Sequence, residues 1–209
     1  MGLTEVVITD YTLNPARLKS STCLVIGGGV GVWDEFKQAK IDTPNAHVMA
    51  VNAVGCYVPK PLHYWFSLHC YRLKQWDILR RICDKETPDT PILFSLKHTS
   101  RDGVEQGDIN AIWQFGDPTI SKSAKHGGSL EDSGFFAMCI ALVMGYGRVH
   151  LVGCPADDSG HVFIPEWKYL EHDKEKIKEA WVATMGQFPE ILERVRSYSG
   201  LTKQLLGEP

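Results

Sequence analysis

The sequence lacks the features that mark zinc-binding, membrane-spanning and nucleic-acid-binding proteins. No two cysteines have the C-x-x-C spacing of a zinc or redox site. No apolar run reaches the roughly 18–20 residues that cross a membrane; the longest runs only from Phe135 to Met144. The formal net charge is -3, so the chain has no basic excess for binding nucleic acid. These absences predict a protein with no metal site, no membrane span and no nucleic-acid partner.

The cysteines and the N-terminus predict a reducing compartment. Six cysteines are dispersed through the 209 residues, several of them inside apolar runs, so we expect reduced and buried thiols. They are Cys23, Cys56, Cys70, Cys83, Cys139 and Cys154. The first ten residues carry acids and lack the basic region of a signal peptide. The expected localisation is cytoplasmic.

Short apolar runs alternate with segments of helical spacing along the chain. The runs that predict strands lie at 18–26, 47–51, 63–68, 91–96, 149–152 and 196–199. The segments that predict helices lie at 33–40, 71–83, 133–144, 174–185 and 188–195. This alternation predicts one Rossmann-like α/β domain over residues 1–209, with a mainly parallel sheet and helices on both faces. The polar, glycine-containing segment 97–128 is predicted to be a mobile, lid-like loop.

The first predicted strand ends in a glycine-rich turn. Its glycines are Gly27, Gly28, Gly29 and Gly31. Such a turn before a helix brings backbone N–H groups close to a phosphate. The dinucleotide fingerprint does not fit, because its third glycine falls on Val32 or Asp34 and because Asn52 stands where a ribose-binding acid belongs. No Gly-Lys-Ser/Thr follows either, so the turn is not a P-loop. A tight turn with no ligand stays an alternative.

The ends of the other predicted strands locate the rest of a candidate site. Ligands of parallel sheets bind beyond the carboxyl ends of the strands. Besides the glycine turn, we predict that nucleotide-binding residues lie at these ends and at the start of the 133–144 helix. They are Asn52, Ser67, His69, Ser133, Gly134 and Gly153.

The order of these stretches resembles a known family. It is similar to the sialyltransferase-like fold of a bacterial sialyltransferase family, to which uncharacterised and pterin-pyrophosphokinase-like proteins are related. The matching places are the glycine turn, Asn52, Ser133-Gly134, the stretch from Gly145 to Gly153, and Tyr169-x-x-His172 before a helix. The resemblance covers roughly residues 20–185.

The resemblance implies a metal-independent glycosyltransferase that uses a nucleotide sugar. It implies that His172 is the general base and that Tyr169 donates to the departing phosphate. The donor is a substrate, so no cofactor is implied, and the acceptor is a glycan or another hydroxyl compound. We expect the loop 97–128 to bring positive charge over the anionic ligand. The residues assigned to this lid are Lys97, Arg101, Lys125 and His126.

Two other functions stay open. A pyrophosphokinase-like enzyme on the same fold would need Mg²⁺, for which Asp157 and Asp158 are the clear carboxylates. With His161 they also have the composition of a metal site, although a solvated loop explains them as well. A non-catalytic binding or assembly protein is the third function, and a homo-oligomer is compatible with all three.

Overall fold

The structure is a computed structural model that describes most of the chain. The described ranges are 18–67, 70–83, 91–96, 111–113, 132–164 and 190–209, with 175, 178–179, 181–183 and 185–186. The catalytic predictions Tyr169 and His172 lie outside these residues, as do His69 and the four residues assigned to the lid. Their roles therefore stay predictions.

Seven strands and five helices with defined bounds alternate along the described chain. The strands are β1 (Thr22–Ile26), β2 (His47–Val51), β3 (Tyr64–Ser67), β4 (Ile92–Leu96), β5 (Ala111–Trp113), β6 (Arg148–Val152) and β7 (Val195–Ser197). The helices are α1 (Val32–Asp42), α2 (Cys70–Cys83), α3 (Ser133–Val143), α4 (Glu190–Arg194) and α5 (Gly200–Leu206). A short 3₁₀ helix, Asn52–Cys56, follows β2.

The strands form one parallel sheet in the order β5-β4-β3-β2-β1-β6-β7. Because β1 pairs with β2 on one side and with β6 on the other, the chain reverses its direction across the sheet at β1. Successive strand residues face opposite sides: Val25 packs in the cluster that contains α3, and Leu24 packs in the cluster that contains α1. The predicted α/β fold with helices on both faces is confirmed.

Three details differ from the sequence-based expectation. The predicted loop 97–128 contains a strand, because Ala111–Trp113 pairs with β4 and forms the edge of the sheet. The final strand lies at Val195–Ser197 rather than 196–199, and the unpredicted helix α5 follows it. β5 and α5 were missed because they are short and carry little periodicity. The remainder of 97–128 lies outside the described residues.

Helix α2 buries a different face from the one its apolar spacing suggests. The repeat of Leu73, Trp76, Leu79 and Ile82 predicts one apolar stripe, but Leu79 and Ile82 are exposed. The buried positions are Leu73, Asp77 and Arg80, at helical spacing. The Arg80 guanidinium donates to the carbonyls of Gly55 and Val58 at 2.7 and 2.8 Å, which satisfies the buried charge. This turn of the helix thereby anchors the loop after β2.

The structure bears on two expectations from composition, the state of the cysteines and the absence of a membrane-spanning helix. The five cysteines whose side chains are described are free thiols; Cys23 and Cys139 are buried, whereas Cys83 is exposed, so the expectation of buried thiols is wrong there. Across the described ranges, no helix is both long enough and apolar enough to cross a bilayer.

His150 in β6 makes stability depend on pH. Its buried Nδ1 has no hydrogen-bond partner. Burial lowers the pKa of His150, the nearby positive charges of Arg148 and Arg196 lower it further, and Asp42 opposes them. The unfolded state therefore binds more protons as the pH falls through the ordinary histidine pKa, and the folded state loses stability there.

We expect the free energy of unfolding to fall as pH drops below about 6.5, with His150 contributing about 1 kcal/mol. A His150→Phe variant keeps a ring for the edge contact with Tyr198 (centroid distance 6.2 Å) and should show a smaller loss. Urea unfolding at pH 7.5 and pH 5.5 measures both. Equal pH dependence in the two proteins would contradict this assignment.

Candidate functional site

A cavity of about 450 Å³ lies at the carboxyl ends of β1, β2 and β6. This is the place where the strand order reverses, which is the usual ligand site of open α/β sheets. Its volume is within the range of small-molecule sites. The cavity has three walls: the turn after β1, the residues after β2 together with α2, and the 153–164 loop together with the start of α3.

Seven of the predicted nucleotide-binding residues line this cavity. They are Gly27, Gly28, Gly29, Asn52, Ser133, Gly134 and Gly153. Two other predicted residues, Gly31 and Ser67, are not among the residues that line the cavity. Gly31 is the N-cap of α1, and Ser67 is buried and donates to Asn52. The binding role of all of them stays a prediction.

Most backbone donors of the glycine turn are engaged by the protein. The N–H groups of Gly27 and Gly29 donate to the carbonyls of Val152 and Gly153, both at 2.8 Å, and Val30 donates to Gly160 at 3.3 Å. These hydrogen bonds therefore join the turn to the end of β6 and to the loop that follows it. Among the described residues, the Gly28 N–H has no such acceptor.

The start of α3 is capped by its own side chain. Asp132 Oδ1 accepts from the N–H groups of Gly134 and Phe135 at 2.9 and 3.2 Å. Its Oδ2 accepts from Trp181 Nε1 at 3.0 Å. Burial raises the pKa of the Asp132 carboxyl, and these hydrogen bonds oppose the rise. A carboxyl group therefore occupies backbone donors that an anion would otherwise use.

Asn52 lines the cavity and carries a side-chain amide. It has a left-handed backbone with φ of 55°, which asparagine tolerates better than most residues. Its Oδ1 accepts from Ser67 Oγ at 2.8 Å, and its carbonyl accepts from Trp65 Nε1 at 2.7 Å. With Oδ1 committed to Ser67, the Nδ2 group is the end that can donate to a ligand.

The loop after β6 covers the glycine turn. The Val162 N–H donates to the Gly28 carbonyl at 2.7 Å, and residues 29 and 161 form an antiparallel bridge. The imidazole of His161 lies so close to Gly28 that a Cβ there would be 2.3 Å from Nε2. Burial lowers the pKa of His161. The sequence around His161 is typical of a solvated loop. No local sequence pattern predicts that His161 lies over the glycine turn.

Helix α1 and the C-terminal segment together hold this loop in place. Glu35 Oε2, on α1, accepts from the Gly153 N–H at 2.7 Å and from the Ser199 hydroxyl. Ser199 Oγ in turn accepts from the Cys154 N–H at 3.1 Å. Asp157 Oδ2 accepts from the Leu201 N–H at 3.2 Å. Four hydrogen bonds therefore connect the 153–157 part of the cavity wall, α1 and residues 199–201.

The remaining wall comes from α2. Arg72 and Trp76, one helical turn apart, line the cavity and add a cation and an aromatic ring. No sequence signal pointed to Arg72, and the apolar spacing of α2 predicted Trp76 to lie in a buried stripe. The face of α2 that points at the cavity becomes apparent only once Leu73, Asp77 and Arg80 are known to be buried.

The described part of the chain contains no group of three or more potential metal ligands. Asp157, a magnesium ligand under the pyrophosphokinase alternative, uses Oδ1 to accept from the Ser159 N–H at 2.9 Å and Oδ2 to accept from Leu201. This carboxylate therefore has a structural role in joining the loop to α5. Cys154 also lines the cavity, and burial raises the pKa of its thiol, so it is a neutral wall residue there.

Comparisons with known proteins give little beyond this geometry. No known family matches the chain, and no curated protein matches it in sequence. Among solved structures, one described as the crystal structure of a mammalian sialyltransferase is 13% identical, covering 87% of this chain and 70% of that one, with a TM-score of 0.48. A similarity at this level says nothing about function. The resemblance to the bacterial sialyltransferase-like family stays a prediction.

Proposed function

We propose that the protein is a transferase that binds a nucleotide sugar in this cavity and passes the sugar to a hydroxyl acceptor. The observation that carries the proposal is the position of the cavity, at the reversal of strand order in a parallel sheet. The residues around it supply an amide donor at Asn52, a cation at Arg72 and an aromatic ring at Trp76. A ribose hydroxyl, a phosphate and a base need groups of these three kinds, in that order.

The chemistry requires a stabilised leaving phosphate and a base for the acceptor hydroxyl. We propose that His172 takes the acceptor proton and that Tyr169 donates to the leaving group. The proposal is metal-independent, and it is supported by the engagement of both Asp157 oxygens with backbone N–H groups. The acceptor is a glycan or another hydroxyl compound.

The first experiment is a nucleotide titration with Asn52 variants. We expect one of CMP, UDP, GDP and ATP to bind the protein without Mg²⁺ in isothermal titration calorimetry. Asn52→Asp keeps an acceptor for Ser67 but removes the Nδ2 donor, so it should weaken binding at least about tenfold, or about 1.4 kcal/mol.

Asn45→Asp is the matched control, because it makes the same change at an exposed turn away from the cavity. It should leave the dissociation constant unchanged. A nucleotide that binds only with Mg²⁺ would support the pyrophosphokinase alternative. Failure of all four nucleotides to bind would remove the basis of the proposal, and equal weakening by both variants would show that charge, not the Asn52 amide, matters.

A further inference from the structure

Two exposed aromatic side chains contact each other at the edge of the cavity. The ring centroids of Tyr57 and Phe163 are 4.9 Å apart, and the ring planes are inclined at 43°. The two residues are 64% and 38% exposed. Phe163 lines the cavity, so the ring of Tyr57 continues this wall beyond the cavity itself. Clustered, exposed aromatic rings beside a cavity are typical of a ligand-binding surface.

The backbone that carries Tyr57 is anchored although its side chain is exposed. Tyr57 ends the short 3₁₀ helix after β2. The carbonyls of Gly55 and Val58, which flank it in sequence, accept from the buried guanidinium of Arg80 at 2.7 and 2.8 Å. Helix α2 therefore fixes the segment from which the tyrosine ring projects.

The backbone that carries Phe163 is anchored in a similar way. The Phe163 N–H donates to His161 Nδ1 at 3.2 Å, and the Ile164 N–H donates to the His161 carbonyl at 3.0 Å. The Val162 N–H donates to the Gly28 carbonyl at 2.7 Å, which joins this segment to the glycine turn. Both rings are thus exposed side chains on a fixed backbone, an arrangement that loses little conformational entropy when a ligand binds.

The cavity wall formed by α2 offers a different kind of aromatic surface. Trp76 lines the cavity, but it is partly buried and packs against the hydrophobic cluster that contains Leu73 and Trp65. Part of the indole surface is therefore committed to the core. Within the described part of the chain, neither Tyr57 nor Phe163 belongs to a hydrophobic cluster. More of their ring surface is therefore accessible to a ligand.

We propose that the Tyr57–Phe163 pair binds the base of the nucleotide by stacking at the edge of the cavity. This inference rests on the proposed function, and it assigns the base of the same ligand to this pair rather than to Trp76. A base has two flat faces and no net charge, so it suits exposed aromatic rings, whereas phosphate and hydroxyl groups need polar partners. Stacking tolerates any base, so the pair is compatible with each of the four nucleotides named above.

Ring-removing substitutions test this assignment. Tyr57→Leu and Phe163→Leu keep an apolar side chain but remove the ring, whereas Tyr57→Phe keeps the ring. In calorimetry with CMP, UDP, GDP and ATP, we expect each leucine variant to bind the preferred nucleotide about tenfold more weakly than the wild type, or about 1.4 kcal/mol. Tyr57→Phe should bind within about threefold of the wild type. Ile41→Ala changes an exposed apolar residue near the end of α1 and should leave the dissociation constant unchanged.

A second measurement uses only the wild-type protein. In NMR spectra with saturating nucleotide, the base protons should show nuclear Overhauser effects to the ring protons of Tyr57 and Phe163. The base protons should also shift upfield, because they lie over aromatic rings. Base contacts to the Trp76 indole instead, or to neither Tyr57 nor Phe163, would overturn the inference.

The outcomes distinguish this inference from the proposed function. If a nucleotide binds and Asn52→Asp weakens it, but Tyr57→Leu and Phe163→Leu bind it as the wild type does, the role of the aromatic pair is wrong and the nucleotide site stands. If the wild-type protein binds none of the four nucleotides, both fail.

Discussion

Replacing Gly153 with alanine should destabilise the protein by about 2–5 kcal/mol, the sum of backbone strain and overpacking. Gly153 has a φ of 61°, which alanine adopts only under strain. An alanine Cβ would also lie 2.6 Å from Val32 Cγ2 and 2.8 Å from the Gly27 carbonyl oxygen. Relief of these overlaps would separate α1 from the ends of β1 and β6, which are two sides of the cavity. Urea unfolding followed by circular dichroism measures the loss.

Gly186→Ala is the matched control for that experiment. Gly186 lies in a helical stretch, and a Cβ there would have no heavy atom within 4 Å. Alanine favours the helix, so this variant should be as stable as the wild type or more stable by up to about 1 kcal/mol. Equal unfolding midpoints for the two variants would contradict the packing assigned to Gly153.

Glu35→Ala should cost about 2–4 kcal/mol, because it removes the acceptor of two hydrogen bonds in a partly buried junction. The Gly153 N–H and the Ser199 hydroxyl would both lose their partner on α1. Since Ser199 also accepts from the Cys154 N–H, the start of the 153–164 loop would loosen. Hydrogen exchange of the Gly153 and Cys154 amides should accelerate more than that of amides within β2.

Glu35→Gln and Ser199→Ala complete this test. Glutamine keeps one acceptor oxygen, so it should cost less than alanine. Because Glu35 and Ser199 share one contact, the effects of Glu35→Ala and Ser199→Ala should be less than additive in the double variant. Strict additivity, or unchanged exchange at Gly153, would show that the junction does not hold the loop.

The central strands are predictable from the sequence because each is a short, continuous apolar run buried on both faces. β1 and β2 have this property, β6 has it apart from His150, and the cavity lies at the ends of these three strands. β5 is not predictable in this way, because Ala111–Trp113 has three residues and depends on the neighbouring β4 for its pairing. Helix α5 is also short, with seven residues, and its first turn contacts the 153–157 loop.

The candidate site is only partly visible in the sequence for the same reason. Asn52 follows directly from the strand-end rule, since it comes immediately after β2. The hydrogen bond between Glu35 and Ser199 joins residues 164 positions apart, so no local sequence pattern predicts it. His161 likewise gains its place over Gly28 from a bridge between residues 29 and 161. Long-range contacts, not residue types, decide which of the predicted donors remain available to a ligand.

The central claim is that a nucleotide binds at the carboxyl ends of β1, β2 and β6, and an NMR titration tests it most directly. In ¹H–¹⁵N spectra of the wild-type protein titrated with CMP, UDP, GDP and ATP without Mg²⁺, we predict that one nucleotide moves the amide resonances of Gly28, Asn52 and His161. The amides of His47 and Arg148, at the opposite ends of β2 and β6, should stay in place. Shifts confined to that opposite edge, or no shifts with any nucleotide at millimolar concentration, would contradict the claim.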